Sequence, residues 1–511
     1  MSDWTAGYVA DIGYTFGYYQ ELNPARVKLA LINAGLKAPT AQAACELGFG
    51  QGLSINLHAA ASDVQWFGTD FNPAQAGFAQ ELAAVCGSGA QLFDQAFADF
   101  SQRSDLPEFD FIGLHGIWSW ISDENRTVIV DFVRRKLKVG GVLYISYNTL
   151  PGWAAFAPMR HLMTEHSDII GAEGLGIVNR INDALEFADK LLDTQPLFAR
   201  ANPLVAERIK KLKEQNRHYL AHEYFNRDWH PMHFATMAQW LAPAKLQYAC
   251  SAHYLDFIDA INLTPEQQAF LKDIPDPMFR ESVRDFMVNQ QFRRDYWIKG
   301  ARSITPLEQA EALLEQAFVL ATPMANVGLT VTGALGEATL TEAVYQPILE
   351  AMADHQVRTV RQIQAAVTAS GVSYAQLTQA VLVLAGLGHL LPVQAEELVS
   401  AARPRAEQLN RHLMMKSRSQ GDIQFLASLL TGSGISVPRF EQLFLLAIAE
   451  GASAPADWAA TAWAVISQQG QRIIKDGVTL ESAEQNLAEL TAQAVAFKDT
   501  KLPILRALGV Y

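Results

Sequence analysis

The residues whose types and spacing could do chemistry begin in "CELGFGQGLSINL", Cys45–Leu57, with Glu46, Gly48, Gly50 and Gly52. Glycines at alternate positions after an apolar run let the backbone approach a ligand that a Cβ would hold off. No Lys or Arg stands in the stretch. Asp70 closes the next expected strand about 20 residues on, where a carboxylate can accept both hydroxyls of a ribose. Asp99, in "FADF", follows a third expected strand and is placed to meet an adenine amino group, with Phe100 beside the ring.

The order G-x-G-x-G is neither the dinucleotide fingerprint G-x-G-x-x-G nor a phosphate loop, which would carry Gly-Lys-Ser/Thr. A glycine turn with an acid before it and no cation suits a ligand with a positive end and no phosphate. S-adenosylmethionine has that chemistry, with its ammonium and sulfonium. Asp70 separates a nucleoside ligand from none, but NAD would use the same residue. A plain tight turn is the bland alternative for the loop alone.

The elements that must hold these residues alternate. A helix is expected over 24–36, a strand over Ala43–Leu47, a helix over Gly52–Ala61 and a strand over Val64–Gly68. A helix over Pro73–Cys86 and a strand near Phe93–Phe97 follow, then a strand over Phe109–Leu114, a helix over Asp123–Leu137 and a strand over Val142–Tyr147. That alternation implies parallel βαβ units in a doubly wound sheet. Residues 158–220 read as helical, and 243–251 and 291–300 as late strands of the same sheet. From 303 to 511 the chain reads as nearly all helix, with a break near 396–405. Residues 341–393 resemble a winged helix, ending in "GLGHLLPV" as a small hairpin.

Composition narrows the function classes. The 511 residues are 50% hydrophobic, which is globular composition, and carry a formal net charge of −13. Nucleic-acid binding rests on clustered cations, so neither DNA nor RNA is the expected partner. No Lys or Arg occurs between Arg361 and Arg403, which argues against the winged-helix segment as a DNA reader and for protein docking or a homodimer through the helical regions. No apolar run reaches a membrane span. "MSDWTAGYVADIGY" lacks a basic and apolar leader pattern. Cys45, Cys86 and Cys250 are scattered and odd in number, which suits reduced thiols in the cytoplasm rather than disulfides or zinc. His222-Glu223 is not H-E-x-x-H, because position 226 is Asn226, so no metal is expected; a structural role is the first reading for the pair and substrate lining the second.

Two blocks, "LHGIWSW" (114–120) and "GGVLYISYNTLPGW" (140–153), resemble a bacterial group of class I S-adenosylmethionine-dependent methyltransferases with a methyltransferase regulatory domain. That group includes rickettsial protein-lysine methyltransferases. "YLAHEYFNRDWHPMHF" (219–234) resembles the start of the regulatory segment, and "DIGYTFGYYQELNP" (11–24) the Tyr-rich lead. The resemblance covers roughly residues 8–300. It implies cofactor-binding roles for Glu46, Gly48, Gly50, Gly52, Asp70 and Asp99, and puts His115 and Gly116 beside the transferring methyl. The lysine-modifying branch has Pro before its lead tyrosine and His-Pro after it; Gly13-Tyr14 and Asn23-Pro24 stand here, so the substrate can differ.

Methyl transfer from a sulfonium is an in-line displacement, mostly a matter of positioning. A lysine nucleophile must arrive deprotonated, and a dry aromatic pocket lowers an amine pKa. Tyr14, Tyr18, Trp118, Trp120, Tyr147 and Trp153 are the candidates for such a pocket. Tyr14 and Trp118 are the expected catalytic aromatics; Trp120 and Trp153 are expected to pack. Tyr18, Tyr147 and Asn148 are expected to line the substrate, Asn148 having turn formation before Pro151 as its equal alternative. His115 is expected to be either a base or a hydrogen-bonding residue at a strand end.

The expected architecture is α/β. A Rossmann-like methyltransferase sheet spans 1–160 and 220–302, with a helical insertion over 161–219. A winged-helix-like domain over 303–395 and a helical domain over 396–511 complete it. The expected function is N-methylation of lysine side chains in a protein substrate. The alternatives are a methyltransferase for a small molecule or lipid precursor, and a non-catalytic S-adenosylmethionine-binding interaction protein.

Overall fold

A computed structural model describes Thr5, Tyr8 and residues 13–511. Most of the lead over which a leader segment is judged lies outside these residues.

The N-terminal half is built on seven strands: β1 (Ala43–Leu47), β2 (Gln65–Thr69), β3 (Gln91–Phe93), β4 (Phe109–Leu114), β5 (Leu137–Asn148), β6 (Leu246–Ser251) and β7 (Phe292–Lys299). They lie in the order β3-β2-β1-β4-β5-β7-β6. The first five run parallel, and β7 pairs antiparallel with both β5 and β6. β1 and β4 are apolar or buried throughout, as strands covered on both faces must be. The strand order reverses between β1 and β4, which opens a crevice at their carboxyl ends where ligands bind in such sheets.

Helix α1 (Pro24–Asn33) precedes β1, and α2 (Leu53–Ala61), α3 (Pro73–Cys86), α4 (Phe97–Ser101) and α5 (Asp123–Lys136) follow β1, β2, β3 and β4 in turn. Their ends are written locally. Asn72 caps α3 by accepting from the backbone of Ala74 and Gln75, with Pro73 in the first turn. Asp123 and Glu124 open α5 and Arg134, Arg135 and Lys136 close it, each charge opposing its end of the helix dipole. The third strand ends at Phe93 rather than running over Phe93–Phe97; Phe97 instead starts α4. That shift matters at the site.

Between β5 and β6 lies a helical layer with its own core of Trp153, Phe156, Met163, Ile181, Ile209 and Tyr224. Beyond β7 the chain is not all helix. Ala317–Leu320 pairs antiparallel with Arg358–Thr359 on one side and Leu390–Pro392 on the other. The winged-helix-like unit therefore draws its third strand from upstream, and "GLGHLLPV" forms one strand of a sheet rather than a hairpin. Nor does the chain break near 396–405: Glu396–Lys416 is one helix that continues through Pro404. Pro404 lacks an N–H to donate, and packing of Ala402, Ala406, Leu409 and Leu413 in the core offsets that loss.

The C-terminal half shares its core with the sheet's helices. Leu53, Leu57 and Ala61 of α2 and Leu82 of α3 bury with Leu409, Phe444, Trp458 and Leu505. Asn23 ties the same two halves. Its side chain caps α1 and donates to the carbonyls of Thr431 (3.0 Å) and Gly432 (3.4 Å). Among the described residues no helix is long and apolar enough to cross a membrane.

Candidate active site

The crevice at the carboxyl ends of β1, β2 and β4 holds a cavity lined by Gly48, Gly50, Asp70, His115 and Gly116, with Tyr14 and Tyr19 from the lead folded over it. Gly48, Gly50 and Gly52 all have positive φ. A Cβ at Gly48 would stand 2.5 Å from Ile117 Cδ1, and one at Gly52 would stand 2.3 Å from Ala79 Cβ. The alternate glycines thus do two jobs. Gly48 keeps the floor open beside the β4 loop, and Gly52 lets α2 and α3 close on each other.

Asp70 fixes the loop. Its carboxylate accepts from the N–H of Gly50 at 2.9 Å and of Asn72 at 3.0 Å. Burial lifts its pKa to about 6, against the opposing effect of those two hydrogen bonds. Two bonds leave carboxylate lone pairs free for further donors. Glu46, at the end of β1, is 1% exposed and its Oε2 has no hydrogen-bond partner. Burial, and then the nearby Asp70 charge, hold it well above the usual carboxylate range. Among the described residues that line the cavity, none is Lys or Arg.

His115 stands at the end of β4. Its Nδ1 is 2.8 Å from the Tyr144 hydroxyl, and its ring stacks on Tyr19 with centroids 3.7 Å apart. Burial pushes its pKa down to about 4, so the imidazole is neutral at physiological pH. The next residue, Gly116, donates its N–H to Ser146 Oγ at 2.8 Å, which pins the loop to β5. Tyr14 packs edge-on against His222 at 5.0 Å and hydrogen-bonds to Tyr19 and to Glu223. Burial raises Glu223 to about 7, with the Tyr14 hydrogen bond opposing.

Several expected site residues lie elsewhere. Asp99 is exposed and Phe100 packs in the core against Phe93 and Phe132; neither lines the cavity. Because β3 stops at Phe93, Gln95, Ala96 and Phe97 take that place. Trp118 is fully buried, its Nε1 3.3 Å from Met232 Sδ and its ring edge-on to Trp240. Trp120, expected to pack, lines the cavity and donates Nε1 to the Glu223 carbonyl at 3.2 Å. The two swap because Trp118–Trp120 is a 3-10 turn, in which residues two apart point to different sides. Buried Arg126 holds that turn by donating to the Trp118 carbonyl.

Tyr147 is buried in the core and donates to Asp295 Oδ2 at 2.9 Å. Asn148 is buried outside the cavity, with its N–H on Ser119 Oγ at 2.8 Å. Both lie on β5, where sheet pairing rather than ligand claims them. Tyr18 turns away from the cavity to pack on His58 and Phe425, in a neighbouring cleft. Trp153 packs in the helical layer with Trp229 and Tyr224. Sequence reasoning missed Tyr19 and left Glu223 as a structural residue. The signal for Tyr19 was its place in the same Tyr-rich lead as Tyr14. No sequence signal joins Glu223 to Tyr14, which are more than two hundred residues apart.

Comparison with known proteins follows the same outline. A family model described as "Predicted methyltransferase regulatory domain" matches residues 216–299. The uncharacterized protein sll1526 of Synechocystis is 41% identical over 512 residues, 99% of each chain. RP789 of Rickettsia prowazekii is 26% identical over 291 residues, covering 55% of this chain and 51% of that protein. Among solved structures, PKMT2 from Rickettsia typhi in complex with AdoHcy aligns with a TM-score of 0.69 at 18% identity, covering 96% of this chain and 99% of that one. At that identity the likeness is one of fold.

Proposed function

We propose that this chain, which belongs to the class I S-adenosylmethionine-dependent methyltransferases carrying a methyltransferase regulatory domain, N-methylates lysine side chains of a protein. The observation that carries the lysine reading is the wall facing the glycine loop. Among the described residues it is aromatic, half-buried to buried and free of Lys and Arg, with a neutral His115 and the hydrogen-bonded carboxyl group of Glu223 beside Tyr14. The resemblance of the 114–120 and 140–153 blocks to a group that includes protein-lysine methyltransferases supports the same reading.

The residues fit the cofactor. Gly48 and Gly50 let backbone approach it, and Asp70 offers free lone pairs to ribose hydroxyls. When bound, S-adenosylmethionine supplies an electrophilic methyl on a sulfonium. The aromatic faces of Tyr14, Tyr19 and Trp120 favour a cation and exclude water. Exclusion of water lowers the pKa of an incoming ammonium. Its proton has a carboxylate to go to: Glu223, reached through the hydroxyl of Tyr14, with a pKa near that of a desolvated amine. His115, already neutral and held by Tyr144, orients rather than repels the arriving cation.

The test is transfer of labelled methyl to cell lysate by the purified chain, with protein hydrolysed to amino acids. Label in methyl-lysine is the expected result. Label only in the small-molecule or lipid fraction would overturn the lysine reading and leave the methyltransferase in place.

A further inference from the structure

A second cavity of about 990 Å³ lies between the edge of the sheet and the C-terminal half. Tyr18, Tyr19, Glu21, His115 and Arg294 form its inner end. Its outer walls come from the strand Ser433–Ser436, the helix Arg439–Ala449 and the chain from Gln493 to Leu508. Tyr19 and His115 line both this cleft and the cofactor cavity. Their stacked rings are therefore the partition between the two.

We infer that this cleft is the docking groove for a segment of the protein substrate, held so that its lysine reaches the cofactor cavity past Tyr19 and His115. The inference rests on the lysine reading above and names where that substrate sits. Three features support a polypeptide over a small acceptor. The cleft is several times the size of a lysine side chain, and only its inner end touches residues of the cofactor cavity. Its lining mixes apolar and polar surface, with Phe425, Phe440, Phe444 and Phe497 beside Gln493 and Thr500, as side chains and backbone of a peptide require. The carboxylates in it are already neutralised: Glu21 pairs with Arg294 at 2.9 Å and Glu441 with Lys501 at 2.6 Å. With its described carboxylates paired, the groove admits a lysine without trapping its ammonium short of the partition.

The geometry also gives the C-terminal half a task. Its strand and helices supply most of the outer wall, so substrate choice and the shared core depend on the same elements. Tyr19 sits where the groove ends and the methyl donor begins. Its backbone N–H is held by Ser54 Oγ at 3.2 Å, so passage requires the ring to leave its stack on His115 and its hydrogen bond to Tyr14.

The experiment fills the groove far from the cofactor. Gln493→Trp, on the helix Ala483–Ala496, is made in the full chain, with Gln493→Ala as its control. Expected is a rise in KM for the methylated protein of about tenfold or more in the Trp variant, with kcat at saturation and calorimetric S-adenosylmethionine affinity within about twofold of wild type. A photo-crosslinking side chain at Thr500 is the second readout, independent of the filling variant's stability. It should capture the methyl-labelled substrate, whereas the same group at Thr127, on α5, should not. An unchanged KM in Gln493→Trp, or capture at Thr127 but not at Thr500, overturns the groove while the lysine reading stands. Failure of that reading shows already in wild type, as label outside protein, and overturns both.

Discussion

Asp70 carries two backbone bonds and, in the proposed complex, the ribose as well. Asp70→Asn keeps the size and exchanges one acceptor for a donor. Loss of a charged hydrogen bond costs about 1.5–3 kcal/mol, so S-adenosylmethionine should bind about tenfold to hundredfold more weakly by calorimetry. Glu223 makes a pH prediction. Its folded pKa, about 7, lies above its ordinary 4.5. Between those values the folded chain binds more protons than the unfolded one, so its contribution to stability falls as pH rises from about 4.5 to 7 and is level beyond. Glu223→Gln should remove that slope: the difference in Tm between variant and wild type, followed by calorimetry across pH, should grow in the variant's favour toward pH 7. The same variant should lower kcat about a hundredfold, the low end of general-base effects, with cofactor affinity unchanged. Equal slopes in the two proteins would show that Glu223 is not the group that titrates there.

At the scale of elements, the loop after β1 couples cofactor geometry to helix packing. Gly52 has φ of 67° and no room for a Cβ beside Ala79. Gly52→Ala combines left-handed backbone strain with a clash against α3, each worth about 1–3 kcal/mol. Urea unfolding should show a loss of about 2–6 kcal/mol, with weaker cofactor binding because Gly50 is displaced with the loop. A neutral result would mean that α3 can retreat freely. The end of β3 shows the same coupling in another way. One strand ending at Phe93 turns Gln95, Ala96 and Phe97 into the cavity wall and leaves Asp99 in solvent.

For the whole molecule, the C-terminal half is a structural partner of the seven-stranded sheet. Leu53, Leu57, Ala60, Ala61 and Leu82 bury against it, and Gln394 and Arg405 donate to the carbonyls of Ala61 and Ser62. A chain cut after residue 395 exposes that apolar face of α2 and α3. It should aggregate or bind a hydrophobic dye, as contiguous apolar patches do. A soluble, cooperatively unfolding 1–395 fragment would show that the face is dispensable.

The sequence by itself determined the elements that local rules write: the alternating strands and helices of the sheet, the capped starts of α3 and α5, the glycine loop, and Asp70 at the end of β2. Periodicity and capping act over a few residues, so they are legible along the chain. The helix start at residue 24 is legible in the same way, but not the tie from Asn23 to Thr431 and Gly432. Only the tertiary structure decided which aromatic faces the cavity. Trp118 and Trp120 share a three-residue turn, and their sides are set by Met232 and Trp240 arriving from far along the chain. The pairing of Glu223 with Tyr14, and the partition of Tyr19 on His115, likewise join segments with no sequence relation. Burial then sets their charge, a property of the packed interior that no local pattern encodes.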